Sequence, residues 1–187
     1  MSVNRSIAAR ILRVNHGGEH GAIRIYESQI AAARFRAPDL LPFLRDALTH
    51  ERSHLRQFRA LMPTRNAKPC RMMWIWAAGG AVLGGITGIL GREAILACTQ
   101  AVEQTVHRHL DDQIAWTSGQ DEELCRVIAS IQIEEISHLA YATDHRTSSA
   151  FTWLVRLISE ATEGLISVST RGDSHRLARE LRNTRPI

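Results

Sequence analysis

A pattern of glutamate and histidine residues occurs twice in this chain of 187 residues, and it strongly limits the folds that the chain can adopt. Each copy has a lone glutamate and then, after the same interval of 32 residues, a Glu-x-x-His pair. Residues three apart lie on one face of a helix, so each pair directs a carboxylate and an imidazole to the same side. The first copy consists of Glu19, Glu51 and His54, and the second of Glu103, Glu135 and His138.

This pattern is typical of proteins that hold two metal ions inside a bundle of four helices, where two helices each give one glutamate and two each give a Glu-x-x-His pair. A single Glu-x-x-His pair would be weak evidence, because both residues are ordinary in helices. Here both copies lie on predicted inner faces, where a carboxylate needs a partner. Carboxylates with two imidazoles and no thiolate favour iron or manganese over copper or structural zinc. We therefore predict a dinuclear metal centre built from all six residues.

Apolar residues recur at helical spacing along nearly the whole chain, which predicts an all-α fold. We expect the first and second helices, and the fourth and fifth, to form two antiparallel hairpins joined by the third helix. This is a ferritin-like four-helix bundle with an extra apolar crossover helix and a C-terminal helix. Ala37-Pro38-Asp39 is expected to end the first helix and to cap the second. The predicted helices span 7–36, 39–61, 72–90, 92–116, 120–143 and about 151–166.

The third predicted helix contains no charged residue and is long enough to span a bilayer. Five of its residues are glycines, and its two tryptophans, Trp74 and Trp76, are at one end only. We therefore expect a buried or interfacial helix that packs closely through its small residues, rather than a membrane span. In either case it offers an apolar surface to a lipid-like molecule.

Length and composition indicate one domain, residues 1–170, followed by a basic C-terminal tail, 171–187. The net charge of +4 suits an anionic membrane, but the basic residues are scattered without interleaved aromatics, so no nucleic-acid partner is predicted. Three cysteines without a Cys-x-x-Cys pair argue against a disulfide scaffold and a structural zinc site. The N-terminus shows no apolar signal segment, and we expect a protein that is not exported.

The remaining histidines are expected to be surface groups or outer groups around the ligands. His109 is the exception that we take as a candidate catalytic residue, because it is near Glu103 in sequence and is placed to hold a water molecule or the substrate. His107, one turn after Glu103, is a second candidate. Tyr26, two turns from Glu19 on the same face, is interpreted as a core residue.

Four stretches carry most of this pattern, namely RVNHGGEHGA (13–22), ERSHL (51–55), GREAILACTQAVE (91–103) and EEISH (134–138). In order and spacing they resemble the demethoxyubiquinone hydroxylase family of ubiquinone biosynthesis, and the similarity extends over about residues 5–168. The resemblance implies a di-iron monooxygenase that adds the last ring hydroxyl to a polyprenyl demethoxyubiquinol. It also implies a peripheral position at the inner, cytoplasmic face of a membrane. The residues that match the family's six iron ligands are Glu19, Glu51, His54, Glu103, Glu135 and His138.

Further expectations concern the electron source, the partners and the entry of the substrate. Electrons would come from NADH, from a reductase or from the quinol itself. A lipid-binding accessory protein is implied by the resemblance alone, and self-association into a homo-oligomer is left open. We place the entry of the isoprenoid tail along the third helix, at Trp74, Trp76, Leu83 and Ile86.

The chain departs from the family at two positions, Asn15, where aspartate is usual, and Leu110, where tyrosine is usual beside the histidine that matches His109. Two other hypotheses are therefore kept. A ferritin-like iron-binding or storage protein would use the same ligands without an organic substrate, but it would not need the long apolar helix. A catalytically silent scaffold at a membrane is the alternative that the two departures favour.

Overall fold

The computed structural model describes residues 2–149 and 151–169, which form six α-helices and, within these ranges, no strand. The all-α prediction is confirmed. The predicted tail, 171–187, lies outside the described residues, as do the side chains of Leu165 and Ile166, so the domain boundary stays a prediction. The helices are α1 (Ser2–Arg36), α2 (Leu41–Leu61), α3 (Met73–Leu90), α4 (Arg92–Thr117), α5 (Glu122–His145) and α6 (Thr152–Ser169).

The four helices that carry the predicted ligands pack as two hairpins, α1 with α2 and α4 with α5, and the hairpins meet through α2 with α5 and α1 with α4. Two apolar clusters fill the bundle. One contains Ile11, Phe58, Leu110 and Ile131, and the other contains Ile23, Leu48, Leu96 and Ala142. In each of the four helices the predicted ligands lie between a residue of the first cluster and a residue of the second. Water is therefore kept from the site along the bundle axis in both directions.

The connection between α1 and α2 differs from the prediction. Pro38–Leu40 forms a 3₁₀ turn, and no side chain caps either this turn or α2, so the predicted capping role of Asp39 is wrong. Asp39 lies inside the turn, past the capping position. Its carboxylate instead accepts a hydrogen bond of 2.8 Å from Arg92 Nε, which ties the turn to the start of α4.

The crossover helix α3 packs along α1 through a stripe of small residues, as predicted. A Cβ atom on Gly80 would lie 2.3 Å from the carbonyl oxygen of Gly21, and one on Gly84 would lie 2.3 Å from that of Ile25. The two backbones can approach this closely only because both positions lack a side chain.

The other face of α3 is exposed. Met73–Leu90 is long and apolar enough to cross a membrane by length and composition, yet only 28% of it is buried. It is therefore not the core helix of an ordinary bundle. The largest exposed side chains on this face are Trp74, Val82, Ile86 and Ile89.

Trp76 does not belong to that exposed face. Its side chain is 3% exposed and packs on α1, where a Cβ atom on Gly17 would lie 2.8 Å from the indole Nε1. The predicted role of Trp76 in admitting an isoprenoid tail is therefore wrong, because the residue fills the groove that Gly17 and Gly21 leave open. Trp74 and Ile86 are exposed, and Leu83 is half-buried.

Candidate metal centre

The structure brings together all six residues of the repeated pattern. Each is at most 7% exposed. Their oxygen and nitrogen atoms form two groups, and within each group the atoms lie within 4.8 Å of one another. Glu51 and Glu135 belong to both groups, so the two groups share these two carboxylates. The first group is Glu19, Glu51, His54 and Glu135, and the second is Glu51, Glu103, Glu135 and His138.

Both histidines direct Nδ1 into the cluster. His54 Nδ1 lies 3.1 Å from Glu135 Oε1 and 3.7 Å from Glu19 Oε2. His138 Nδ1 lies 3.2 Å from Glu135 Oε2 and 3.8 Å from Glu103 Oε1. Each group therefore offers one imidazole nitrogen and several carboxylate oxygens to one point.

This arrangement fits a bound cation. His54 Nδ1 is fully buried and makes no hydrogen bond, although carboxylate oxygens surround it. A buried ring nitrogen without a hydrogen-bond partner is costly, and so are four carboxylates in an apolar interior. A cation at each group would satisfy the nitrogen and neutralise the oxygens, and the oxygen-rich ligand set is one that iron and manganese accept.

Without a cation the cluster must hold protons. Burial, together with the neighbouring carboxylates, raises the pKa of Glu51 and of Glu103 well above the usual range. Burial acts to lower the pKa of His54, but the carboxylates of Glu135 and Glu19 outweigh it and raise that pKa to about 11. Burial acts to raise the pKa of Glu135, but the neighbouring imidazoles of His138 and His54 outweigh it and lower that pKa. The cluster is thus a mixture of protonated and charged groups, from which a metal ion would displace protons.

Two further side chains hold the outer nitrogens of the histidines. His54 Nε2 is 2.9 Å from Glu134 Oε2, and His138 Nε2 is 3.0 Å from His50 Nδ1. His50 is therefore one of the outer groups that were expected among the remaining histidines, whereas no role was predicted for Glu134. A signal was present, since each residue immediately precedes the paired glutamate of its own helix.

Tyr26 was interpreted as a core residue, and it is buried, but it also reaches the cluster. Its hydroxyl donates a hydrogen bond of 3.0 Å to Glu103 Oε1. The helical spacing from Glu19 gave the correct face for the ring. It could not show that the hydroxyl would meet a glutamate on α4.

His109 and His107 belong to neither ligand group. His109 Nε2 lies 3.2 Å from Glu163 Oε2 on α6, and its side chain is half-buried. His107 Nε2 lies 3.5 Å from Asp111 Oδ2 at the bundle surface. The catalytic role of His109 stays a prediction, and its contact with α6 is the feature on which such a role would depend.

The two departures from the family pattern are both packed inside the bundle. Asn15 and Gln113 exchange two hydrogen bonds, from Asn15 Nδ2 to Gln113 Oε1 at 2.7 Å and from Gln113 Nε2 to Asn15 Oδ1 at 3.0 Å. Leu110 is 2% exposed and belongs to the first apolar cluster. Neither residue is one of the six, so both groups of candidate ligands form without an aspartate or a tyrosine at these positions.

Six helices with two buried and overlapping Glu–His groups define this protein as a ferritin-like helical bundle with a carboxylate-rich candidate metal centre. Comparison with known families gives the particular assignment. The chain belongs to the family described as ubiquinone biosynthesis protein COQ7, whose sequence model matches residues 6–169. That range contains all six residues of the centre.

Individual relatives agree with the family. The chain is 34% identical to the NADPH-dependent 3-demethoxyubiquinone 3-hydroxylase, mitochondrial, of Mus musculus, over 91% of this chain and 80% of the relative. It is 35% identical to the 3-demethoxyubiquinol 3-hydroxylase of Rhodospirillum rubrum, over 87% and 77%. It is 30% identical to the 5-demethoxyubiquinone hydroxylase, mitochondrial, of Saccharomyces cerevisiae, over 85% and 72%.

Proposed function

We propose that this chain is a 3-demethoxyubiquinol 3-hydroxylase, a monooxygenase that hydroxylates the ring of a polyprenyl demethoxyubiquinol in ubiquinone biosynthesis. The observation that carries the proposal is the pair of buried ligand groups that share Glu51 and Glu135, in a chain that belongs to the family. The relatives named as hydroxylases of this ring support the substrate class.

The centre would hold two iron ions through the six residues of the repeated pattern. When bound, the iron pair supplies the redox chemistry that reduces dioxygen and transfers one oxygen atom to the ring. The protein itself positions the two groups of ligands and excludes water from them. The shared carboxylates of Glu51 and Glu135 keep the two groups adjacent. The apolar clusters on both sides keep water away, and Tyr26 holds Glu103 in place.

The exposed face of α3 supports a peripheral position on the membrane that contains the quinol. An apolar face of this kind is unfavourable in water and favourable at a lipid surface. Ile86 and Ile89 lie on it beside Val82, and Trp74 stands at the start of the helix, where an indole suits the headgroup region. We place this face on the inner side of the membrane, with the quinone tail entering along α3.

The proposed reductant and protein partners follow from the names of the relatives and from the exposed surface of α3. The name of the mouse relative assigns NADPH to that protein. For this chain we propose a reduced nicotinamide, either NADH or NADPH, or the quinol itself as the electron source. A lipid-binding accessory protein and self-association would both act through the exposed apolar surface.

Quinone analysis of cells that lack this protein tests the proposed function. Demethoxyubiquinone should accumulate, and the full-length gene should restore ubiquinone, whereas a Glu135→Ala variant should not. A normal quinone profile in the deletion strain would overturn the proposal. Measuring bound iron distinguishes the storage hypothesis from the proposed hydroxylase. The hydroxylase requires two iron ions per chain, whereas a storage protein accumulates many.

A further inference from the structure

The two ligand groups are matched by the sequence repeat but differ in the residues behind their histidines. His54 Nε2 faces a carboxylate oxygen, Glu134 Oε2, at 2.9 Å. His138 Nε2 faces an imidazole nitrogen, His50 Nδ1, at 3.0 Å. Glu134 and His50 occupy equivalent positions in the repeat, each just before a paired glutamate, and each supports the histidine of the opposite helix. The two groups therefore have matching ligands, but the residues that contact the Nε2 atoms of their histidines differ.

This difference changes the strength of the two imidazole ligands. A histidine that binds a metal ion through Nδ1 carries its proton on Nε2 and donates it outward. His54 then donates to a carboxylate, which makes its ring a stronger ligand. His138 donates to an uncharged ring, because His50 can accept at Nδ1 only when that nitrogen is free of a proton. His50 gains little support in turn, since its Nε2 is 4.0 Å from Asp46 Oδ1 and its Nδ1 is 3.8 Å from Glu134 Oε2, both longer than a hydrogen bond.

The terminal glutamates differ in the same direction. Glu103 accepts a hydrogen bond from Tyr26, so part of its electron density is already engaged. Glu19, its counterpart in the first group, shows no hydroxyl donor in the described part of the chain. The second group therefore has both the weaker histidine and the weaker terminal carboxylate.

We propose that the two halves of the metal centre load in a fixed order. The group with His54 takes up its ion first and holds it more tightly, and the group with His138 takes up its ion second. Glu134 and His50 are positioning residues that set the difference. The inference rests on the proposed metal centre, and it goes further by assigning unequal affinity to two groups that the sequence repeat makes equivalent.

Calorimetric titration of the metal-free, full-length chain with Co²⁺ tests the order. We expect two ions per chain, bound in two steps whose Kd values differ at least about tenfold. Glu134→Gln should weaken the first step about 10- to 100-fold, the usual effect of losing a residue that supports a ligand, and so bring the two steps together. His50→Glu should strengthen the second step, because it gives His138 a carboxylate acceptor.

Asp144→Asn is the matched control for loss of a negative charge. Asp144 is exposed on the same helix as Glu134, and ten residues along a helix place it about 15 Å away. The Kd values of the two binding steps should be the same in Asp144→Asn as in the unmodified protein. The visible absorption of the first Co²⁺ equivalent should shift in Glu134→Gln and not in Asp144→Asn, a change that mere loss of stability would not produce.

The outcomes separate this inference from the proposed centre. Two ions bound with equal affinity, or a ratio of affinities unchanged in both Glu134→Gln and His50→Glu, would overturn the loading order and leave the centre intact. Fewer than two ions per chain would overturn the centre itself. The His50→Glu arm decides the question even if Glu134→Gln does not fold, because it predicts a gain in affinity.

Discussion

The hydroxyl of Tyr26 on α1 donates a hydrogen bond to Glu103 on α4, across the gap between the two hairpins. Burial and the carboxylate of Glu103 raise the pKa of the Tyr26 hydroxyl well above its ordinary value, so the group remains a donor at any physiological pH. The ring of Tyr26 also meets His138 edge-on, with centroids 6.4 Å apart. One side chain thus contacts both the carboxylate and the imidazole of the second ligand group.

Replacing Tyr26 with phenylalanine should therefore cost stability without creating a cavity. The buried Glu103 carboxyl group would lose its donor, and we expect the free energy of unfolding of the metal-free protein to fall by about 1–3 kcal/mol. Chemical denaturation measures the change. Tyr141→Phe is the control, because the ring of Tyr141 stacks on Phe43 and on His145, and it should change the free energy by less than about 0.5 kcal/mol. Equal losses in the two variants would contradict the role given to the Tyr26 hydroxyl.

The shared position of Glu135 predicts an unequal effect of ligand loss. Glu135→Ala should abolish binding of both metal ions, because the residue belongs to both groups. Glu19→Ala should leave one ion per chain, because Glu19 belongs only to the first group. Elemental analysis after anaerobic loading with Fe²⁺ gives the counts. Glu160→Ala, an exposed change on α6, should keep both ions. A Glu135→Ala variant that retained two ions would show that the centre lies elsewhere.

The meeting of the six candidate ligands in one buried cluster could be predicted from sequence, because their pattern is local and repeated. A three-residue spacing gives a shared face in any helix, and the equal interval between the copies fixes which helices face each other. The residues that contact the candidate ligands from behind were harder to predict. The contacts of Tyr26 with Glu103 and of His50 with His138 join helices that are far apart in the chain. They depend on how the hairpins pack, and the signal in the sequence was limited to the position of His50 immediately before a paired glutamate.

The fold likewise has features that could be predicted from the sequence and features that could not. The glycines of α3 predicted close packing, and they make it against α1. The sequence could not show which tryptophan faces inward, because Trp74 and Trp76 are both at the start of the helix and only the position of Gly17 and Gly21 on α1 selects Trp76. Asp39 failed as a cap for a comparable reason, since Pro38 begins a 3₁₀ turn that moves the carboxylate toward Arg92.

The charges of the cluster predict how the stability of the metal-free protein depends on pH. The pKa of His54 is raised from 6.5 to about 11, so between these values the folded chain holds a proton that the unfolded chain has released. Stability therefore falls as pH rises through this range. The raised pKa values of Glu51 and Glu103 act in the same direction above about pH 4.5. The lowered pKa of Glu135 acts oppositely, but only below that pH.

We accordingly expect the Tm of the metal-free protein to fall between pH 7 and pH 9 in thermal unfolding followed by circular dichroism. The Tm of the metal-loaded protein should fall less over the same range, because bound cations replace the protons and are bound more tightly as pH rises. The same samples give a second check, since metal binding at pH 7 should release protons into the buffer. A Tm of the metal-free protein that increased over this range would be inconsistent with a protonated cluster.

The contact between α1 and α3 predicts opposite effects for two neighbouring glycines. Gly84→Ala should destabilise the protein by about 1–3 kcal/mol, because the new methyl group would lie 2.3 Å from the carbonyl oxygen of Ile25 and the helices would have to separate. Gly85→Ala meets no atom within 4 Å and should stabilise the helix by about 0.5–1 kcal/mol. Thermal unfolding of both variants measures the difference. If the two changes had the same sign, the close approach of the helices would not contribute to stability.

The exposed face of α3 predicts a specific loss of membrane binding. Ile86 and Ile89 are 52% and 67% exposed, and an aspartate at either position would have to enter the lipid. Because an aspartate at the centre of a membrane helix costs about 2.5–3.5 kcal/mol, even part of this cost should lower binding to vesicles of phosphatidylcholine and phosphatidylglycerol about tenfold. Co-sedimentation with the vesicles measures it. Ile133→Asp is the control, since Ile133 is 71% exposed on α5 and should leave binding unchanged. Metal content should stay the same in all three variants, and its loss in Ile86→Asp would mean that this face supports the bundle rather than the membrane.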